Sequence, residues 1–190
     1  MTKTDKEEKI IDVALGLLKS NGDHGVTMRQ VAQRAGMSLS NVQYYFKSKD
    51  ELLTAMADRY FYHCLEDFRN DHTISSIRSK KKAIKNLVDS FLAYGAEISE
   101  MCKIFREYWA IATRNETIEE YLQRYYQEMA NALADKLGVV SDDPQAIDAA
   151  TSLLIPYTEG YSITASSLPL NAEEASKMVT ELMSGILAVN

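Results

Sequence analysis

Asn41 and Gln43 carry planar amides. Such a group donates and accepts hydrogen bonds side by side, which is how a side chain reads an adenine edge in the DNA major groove. Leu39 and Ser40 precede them and Tyr44 and Tyr45 follow, all within the run Ser38 to Phe46. Hydroxyls at Tyr44 and Tyr45 suit phosphate oxygens, and Leu39 and Ser40 are outward residues of the same short helix. Arg29 upstream and Lys49 downstream are cations for the DNA backbone. Thr27, at a helix start with free N–H groups beside it, is a further phosphate candidate. Gln43 and Asn41 are the expected base readers.

Such a surface needs elements to hold it. Thr27 can cap a helix, and Gln30 stands three residues on, where a capping box wants Glu or Gln. Val31, Ala32 and Ala35 make that helix's apolar face, with Ala32 small enough for a close crossing. Gly36 is the turn residue, free to take positive φ. Ser38 caps the next helix, which sends Val42 and Phe46 inward and leaves Leu39, Ser40, Asn41, Gln43 and Tyr44 outward. Tyr45 can point either way. Two short helices across a tight turn are the layout of a helix-turn-helix, whose second helix enters the major groove. Each cap alone is ordinary in a helical protein. The ordered set, with Gly36 and the spacing to Lys49, carries the inference. Lys3 and Lys6, ahead of the first helix, are placed for flanking DNA.

A net charge of −6 runs against DNA binding until it is divided along the chain. Residues 1–51 hold 8 Lys/Arg and 7 Asp/Glu, so the acidic excess lies beyond them. Sequence-specific binding needs only a locally positive surface. No apolar run approaches the ~18 residues of a membrane span, and no signal peptide opens the chain, so a cytoplasmic protein without membrane contact is expected. Cys64 and Cys102 lack CxxC spacing, and His24, His63 and His72 lack metal-ligand spacing. No cofactor or metal is expected. No Ser/His/Asp order or phosphate loop is present, and Glu119-Glu120 reads as a solvated helix face, so the chain is not expected to be an enzyme.

Helical periodicity runs throughout, and the expected class is all-α with about nine helices. The first spans 4–20, capped by Thr4 and closed by Asn21-Gly22. The two motif helices follow, and Ser48-x-x-Glu51 opens a longer helix over 48–68. Residues 70–79 are polar and read as a loop. Amphipathic segments cover 80–98, 100–113 and 116–137, the last stopped at Gly138. Asp143-Pro144 starts a helix to about 166, with a kink or break expected near 152–155 because of Pro156. Asn171-x-x-Glu174 opens the last, with Ala175, Met178, Val179, Leu182, Met183 and Ile186 on one face.

With these residues in hand, the chain resembles the tetracycline-repressor (TetR) family of bacterial transcription regulators over residues 10–55. The resemblance rests on Gly25-Val26-Thr27-Met28-Arg29, Val31-Ala32, Ala35-Gly36-Met37-Ser38, Val42, Tyr45-Phe46 and Lys47 through Leu53. It implies a three-helix DNA-binding domain (1–47), a helical ligand-binding and dimerisation bundle (48–190, with helix 48–68 as connector), a homodimer, and repression by default. Two positions depart from the family pattern. Ser40 stands where Gly is frequent, and Gln43 where Tyr is most frequent, so the operator preference is expected to differ.

A lone small domain reads too few bases, whereas two recognition helices ~34 Å apart read a palindrome. Leu153, Leu154, Tyr157, Tyr161, Met178, Leu182, Met183 and Ile186 on the last two helices are the candidate dimer face, against the alternative that they form the chain's own core. Phe91, Tyr94, Met101, Phe105, Arg106, Tyr108, Trp109, Tyr125, Tyr126, Met129, Tyr157 and Tyr161 are candidates to line a pocket for an aromatic or amphipathic effector, with Arg106 and Glu159 as polar anchors if they face inward. A plain aromatic core is the competing reading. The expected partners are therefore a double-stranded DNA operator, a small-molecule effector and a second copy. The alternative is a helical protein-interaction or small-molecule-binding module without DNA binding.

Overall fold

The structure is a computed structural model describing residues 3–71, 77–96 and 100–189, with the side chains of 94–96 and 100–102 outside the described set. Ten α-helical segments are present and no strand among the described residues. They are α1 (Lys3–Asn21), α2 (Met28–Ala35), α3 (Leu39–Tyr45), α4 (Lys49–Ala57), α5 (His63–Asn70), α6 (Lys80–Ala96), α7 (Glu100–Ala112), α8 (Glu116–Leu137), α9 (Pro144–Thr164) and α10 (Ala172–Ile186). A π-helical turn, Asp58–Tyr62, joins α4 to α5 as one continuous rod, so the described residues make nine rods. Nothing in Asp58-Arg59-Tyr60-Phe61-Tyr62 announces the extra residue in that turn.

Two compact units form. The first holds residues 1–65 and 103–125, and the second holds 66–102 and 126–190. The expected division at residue 47 is one of roles, whereas the compact units follow packing.

In the first unit α1 lies on α2 and α4, and α2 lies on α3. Ile10, Ala14, Leu18, Val31, Val42, Leu52 and Met56 are fully buried there. Phe61 is the centre of an aromatic cluster, with Phe105, Tyr108 and Tyr125 at ring centroid distances of 4.3, 5.0 and 5.3 Å. Tyr108 is fully buried, and its hydroxyl donates to the Leu53 carbonyl at 2.6 Å, so a buried polar group is satisfied and α7 is tied to α4. Burial drives the Tyr108 hydroxyl well above the ordinary tyrosine range, with the neighbouring Tyr121 and Asp58 adding to it.

In the second unit α6 packs on both α9 and α10. Ile84, Val88, Leu133, Leu154, Val179 and Met183 lie at its centre. Asp143 caps α9 by accepting from the Gln145 N–H at 3.0 Å, with Pro144 in the first turn. Asn171 and Glu174 form a reciprocal capping box at α10.

Three expectations change. Thr4 lies inside α1, which already begins at Lys3, so it is not the cap. Helix α9 runs unbroken through Pro156, because burial of Ala150, Leu154 and Tyr161 along the rod outweighs the loss of one backbone hydrogen bond. Gly138 does follow the end of α8 as expected, its N–H bonding to the Ala134 carbonyl at 2.9 Å. Of the polar stretch at 70–79, Asn70 closes α5 and residues 72–76 lie outside the described residues.

Replacing Phe61 by Ala removes the cluster's centre and is expected to cost about 3–5 kcal/mol of stability, read from the denaturant unfolding midpoint. A loss smaller than ~1 kcal/mol would show that the cluster is not the first unit's core.

Candidate nucleic-acid interface

Helix α2 starts at Thr27, an extended N-cap whose hydroxyl oxygen accepts from the Gln30 N–H at 3.2 Å. The same hydroxyl donates to Gln30 Oε1 at 2.7 Å, so the Gln30 side chain closes on the Thr27 hydroxyl. Gly36 takes φ 66°, ψ 36° after the helix. Its N–H reaches the Gln33 carbonyl, and the Met37 N–H reaches the Ala32 carbonyl at 2.9 Å, the paired bonds of a Schellman turn. A β-carbon is disfavoured in this left-handed conformation. Ser38 then caps α3 by accepting from the Asn41 N–H at 3.2 Å, and its oxygen lies 3.0 Å from that of Ser40.

The turn sets which side of α3 is seen. Val42 and Phe46 are buried, whereas Ser40, Gln43 and Tyr44 are exposed and Leu39, Asn41 and Tyr45 are half-buried. Tyr44 is 70% exposed, a large aromatic left uncovered at the tip. Tyr45 meets it edge-on, with ring centroids 5.2 Å apart. Lys3 and Lys6 lie inside α1 and not ahead of it, and Lys3 places its ammonium 5.9 Å from the Tyr44 ring centroid. Arg29 and Gln30 are exposed in the first turn of α2.

Lys49 is paired within its own chain. Its ammonium lies 2.6 Å from Asp23 Oδ1 and donates to the Asp23 carbonyl at 2.9 Å. The Oδ1 contact is a charge pairing off hydrogen-bond alignment. Arg114 reaches Asp23 Oδ2 at 3.1 Å, and Glu107 Oε2 accepts from the Asp23 N–H at 3.0 Å. Asn115 donates to Asp50 Oδ1 at 2.7 Å and also caps α8 by accepting from the Ile118 N–H. Burial by itself raises the Asp23 carboxyl, but the Lys49 and Arg114 contacts outweigh it and hold it below the ordinary carboxylate value. Sequence reading missed this cluster. Its contacts join residues 26, 65, 84 and 91 positions apart, and no periodicity links them. The Asn115 cap was the one local signal available.

The remaining expected residues divide between the units. Phe105 and Tyr125 belong to the Phe61 cluster, while Arg106 and Trp109 are exposed on α7. In the second unit Phe91 meets Phe68 edge-on, and Tyr157 stacks on Tyr161 at 5.9 Å. Met129 is half-buried on α8. The Tyr126 hydroxyl donates to Glu159 Oε1 at 2.9 Å, and burial raises the Glu159 carboxyl despite that bond. The side chains of Tyr94 and Met101 lie outside the described residues. On the last two helices Leu154 and Met183 are fully buried in their own unit's core, and Leu153 and Ile186 are half-buried against it. Met178 and Leu182 are exposed, at 39% and 52%. No His/Cys/Asp/Glu group able to hold a metal occurs among the described residues, and none of their helices is long and apolar enough to cross a membrane.

The profile of the bacterial regulatory proteins of the tetR family matches residues 10–56, the segment that builds this motif. An HTH-type transcriptional regulator from Xanthobacter autotrophicus, described as uncharacterized and in the dhlA 5′ region, is 50% identical over 96% of this chain and 91% of its own. The chain belongs to the TetR family. It is thus a DNA-binding helix-turn-helix transcriptional regulator. Solved structures share the fold at low identity. A TetR-family regulator from Mesorhizobium loti superposes with a TM-score of 0.79 at 18% identity, covering 99% of this chain and 98% of that one. A transcriptional regulator from Saccharomonospora viridis, solved in complex with choline, gives 0.74 at 16% identity, covering 96% and 97%.

The depressed Asp23 carboxyl sets a pH test. Its stabilisation is complete above the ordinary carboxylate value of about 3.9 and is lost as pH falls through the lower folded value. Asp23→Asn is expected to cost about 1–3 kcal/mol above pH ~4, a gap that closes on further acidification, measured by urea unfolding across pH. A gap that widened at low pH would contradict the pairing.

Proposed function

We propose that this TetR-family chain is a homodimeric, effector-responsive regulator, a repressor released from a palindromic operator when a small molecule binds. The observation that carries the DNA reading is the outer face of α3, where polar Ser40, Gln43 and Tyr44 are uncovered while Val42 and Phe46 anchor the helix from behind. Gln43 and Asn41 read base edges, with Ser40 and Leu39 beside them. Thr27, Arg29, Ser38, Tyr44 and Tyr45 hold phosphates and fix the register. Residues 1–47 supply the contacts, and residues 48–190 supply effector binding and pairing of the copies.

The dimer reading is supported by Met178, Leu182 and Ile186, which recur at i, i+4 and i+8 on the outer side of α10. An apolar stripe of this spacing is what a partner helix covers. Leu154 and Met183 support that face from beneath. The effector reading is supported by the aromatic residues of α6 to α9 and by the choline complex of the Saccharomonospora viridis relative. Release follows from an effector that binds one arrangement of the helices better than another. No catalytic role is assigned, and the site of action is the cytoplasm.

Genomic footprinting of the bound chain tests the operator and names the regulated genes. Gln43→Ala is expected to lower discrimination between a matched and a scrambled duplex by about 1–3 kcal/mol. Equal losses on both duplexes would remove Gln43 from the base readers. Leu182→Glu is expected to shift the chain from dimer to monomer in sedimentation velocity and to abolish tight binding to a palindrome. Unchanged sedimentation would remove this stripe from the interface.

A further inference from the structure

The two motif helices span residues 28 to 45, and the points that bracket them in sequence are both fastened. Asp23 lies in the short turn that leads into α2, and Lys49 opens α4 directly after α3. The Asp23–Lys49 contacts join these two points, so the helix-turn-helix is a loop closed at its base. That base is held in turn by α7 and the corner between α7 and α8. Glu107 takes the Asp23 N–H, Arg114 takes its carboxylate, and Asn115 takes Asp50. Gly22, at φ 66°, leaves room for the Glu107 carboxylate, which a β-carbon there would crowd at 3.2 Å.

We propose that Asp23 is the positioning residue for operator binding, clamping the base of the helix-turn-helix to α7 so that α7 sets how α3 is presented to DNA. The proposal rests on the reading of the chain as an operator-binding regulator and adds the means by which its reading helix is aimed. The stability carried by the Asp23 carboxylate does not by itself account for the whole cluster. Arg114 is half exposed, and ion pairs with an exposed member contribute little. Two of the contacts grip the backbone N–H and carbonyl of Asp23, which fixes direction as well as charge. The clamp also gives Lys49 a role distinct from a phosphate contact. Its charge is engaged by Asp23, so its loss would misplace α3 and release no additional counterion. A displacement of α7 would loosen Glu107 and Arg114 together and so re-aim both copies of α3.

The test uses the full chain and a duplex that the wild type selects from a randomised pool, with a scrambled duplex as control. Glu107→Gln, Arg114→Gln and Lys49→Gln are each expected to weaken binding to the selected duplex about tenfold per active molecule. Helix content and the salt slope should stay at their wild-type values, and Lys49→Arg should restore affinity. Asp23→Asn combined with Lys49→Gln should lose no more than the worse single variant, because both break one clamp. Amide hydrogen exchange of free Glu107→Gln should quicken across residues 28–45, which reports the clamp without DNA. The proposal falls if Lys49→Gln lowers the salt slope by about one and adds to Asp23→Asn, since that is the signature of a phosphate contact. It also falls, with the regulator reading intact, if the wild type selects a duplex and Glu107→Gln and Arg114→Gln bind it unchanged. A wild type that selects no duplex at low salt would overturn the regulator reading and this proposal together.

Discussion

Helix α3 is seven residues long. A helix of that length does not hold in water, because nucleation costs more than so few backbone bonds return. Its shape therefore depends on what it buries. Val42 and Phe46 go into the first unit's core, and Ser38 and Gly36 fix the entry from α2. Only after that burial do Ser40, Gln43 and Tyr44 have a direction. The exposed face of α3 follows from two apolar anchors on its opposite side.

The same logic extends along the first unit. The anchors need a core to enter, and α1, α4 and the Phe61 cluster supply it. Polar groups inside that core are handled one by one. The Tyr108 hydroxyl meets the Leu53 carbonyl, and the Asp23 carboxylate meets two cations. The first ties α7 to α4, and the second ties the turn ahead of α2 to α4 and to the corner after α7. The aromatic residues of α7 and α8 thus fasten one helix to another in addition to any part they take in effector binding. In the second unit α10 shows two faces. Ala175, Val179 and Met183 are buried against α6 and α9, and Met178 and Leu182 are left outside.

Much of the fold was legible because it rests on local rules. Thr27, Ser38, Ser48, Asp143 and Asn171 all cap as their spacing requires, and Gly36 takes positive φ. Details of the boxes were less legible. Glu51 accepts from the Lys47 N–H at 2.6 Å, one residue before the Ser48 cap. Pro156 predicts a break because sequence shows the missing N–H and not the packing that carries α9 past it. The apolar residues of α10 form a single stripe in sequence, because helical spacing alone cannot tell burial within a chain from apolar exposure.

The sequence by itself determined the helix count, the turn at Gly36, the exposure of Ser40, Gln43 and Tyr44 on α3 and the family, since each depends on neighbours within a few residues, whereas Leu39 and Asn41, expected outward, are half-buried. Tertiary structure decided the partner of Lys49, the tether from Asp23 to Glu107 and Arg114, and the split of α10 into a covered and an uncovered side. These depend on residues brought together by packing across long stretches of chain. An isolated lysine or aspartate carries no mark of which charge will face it. That is fixed only when apolar burial has set the rods in place and left the charges to find partners at their ends.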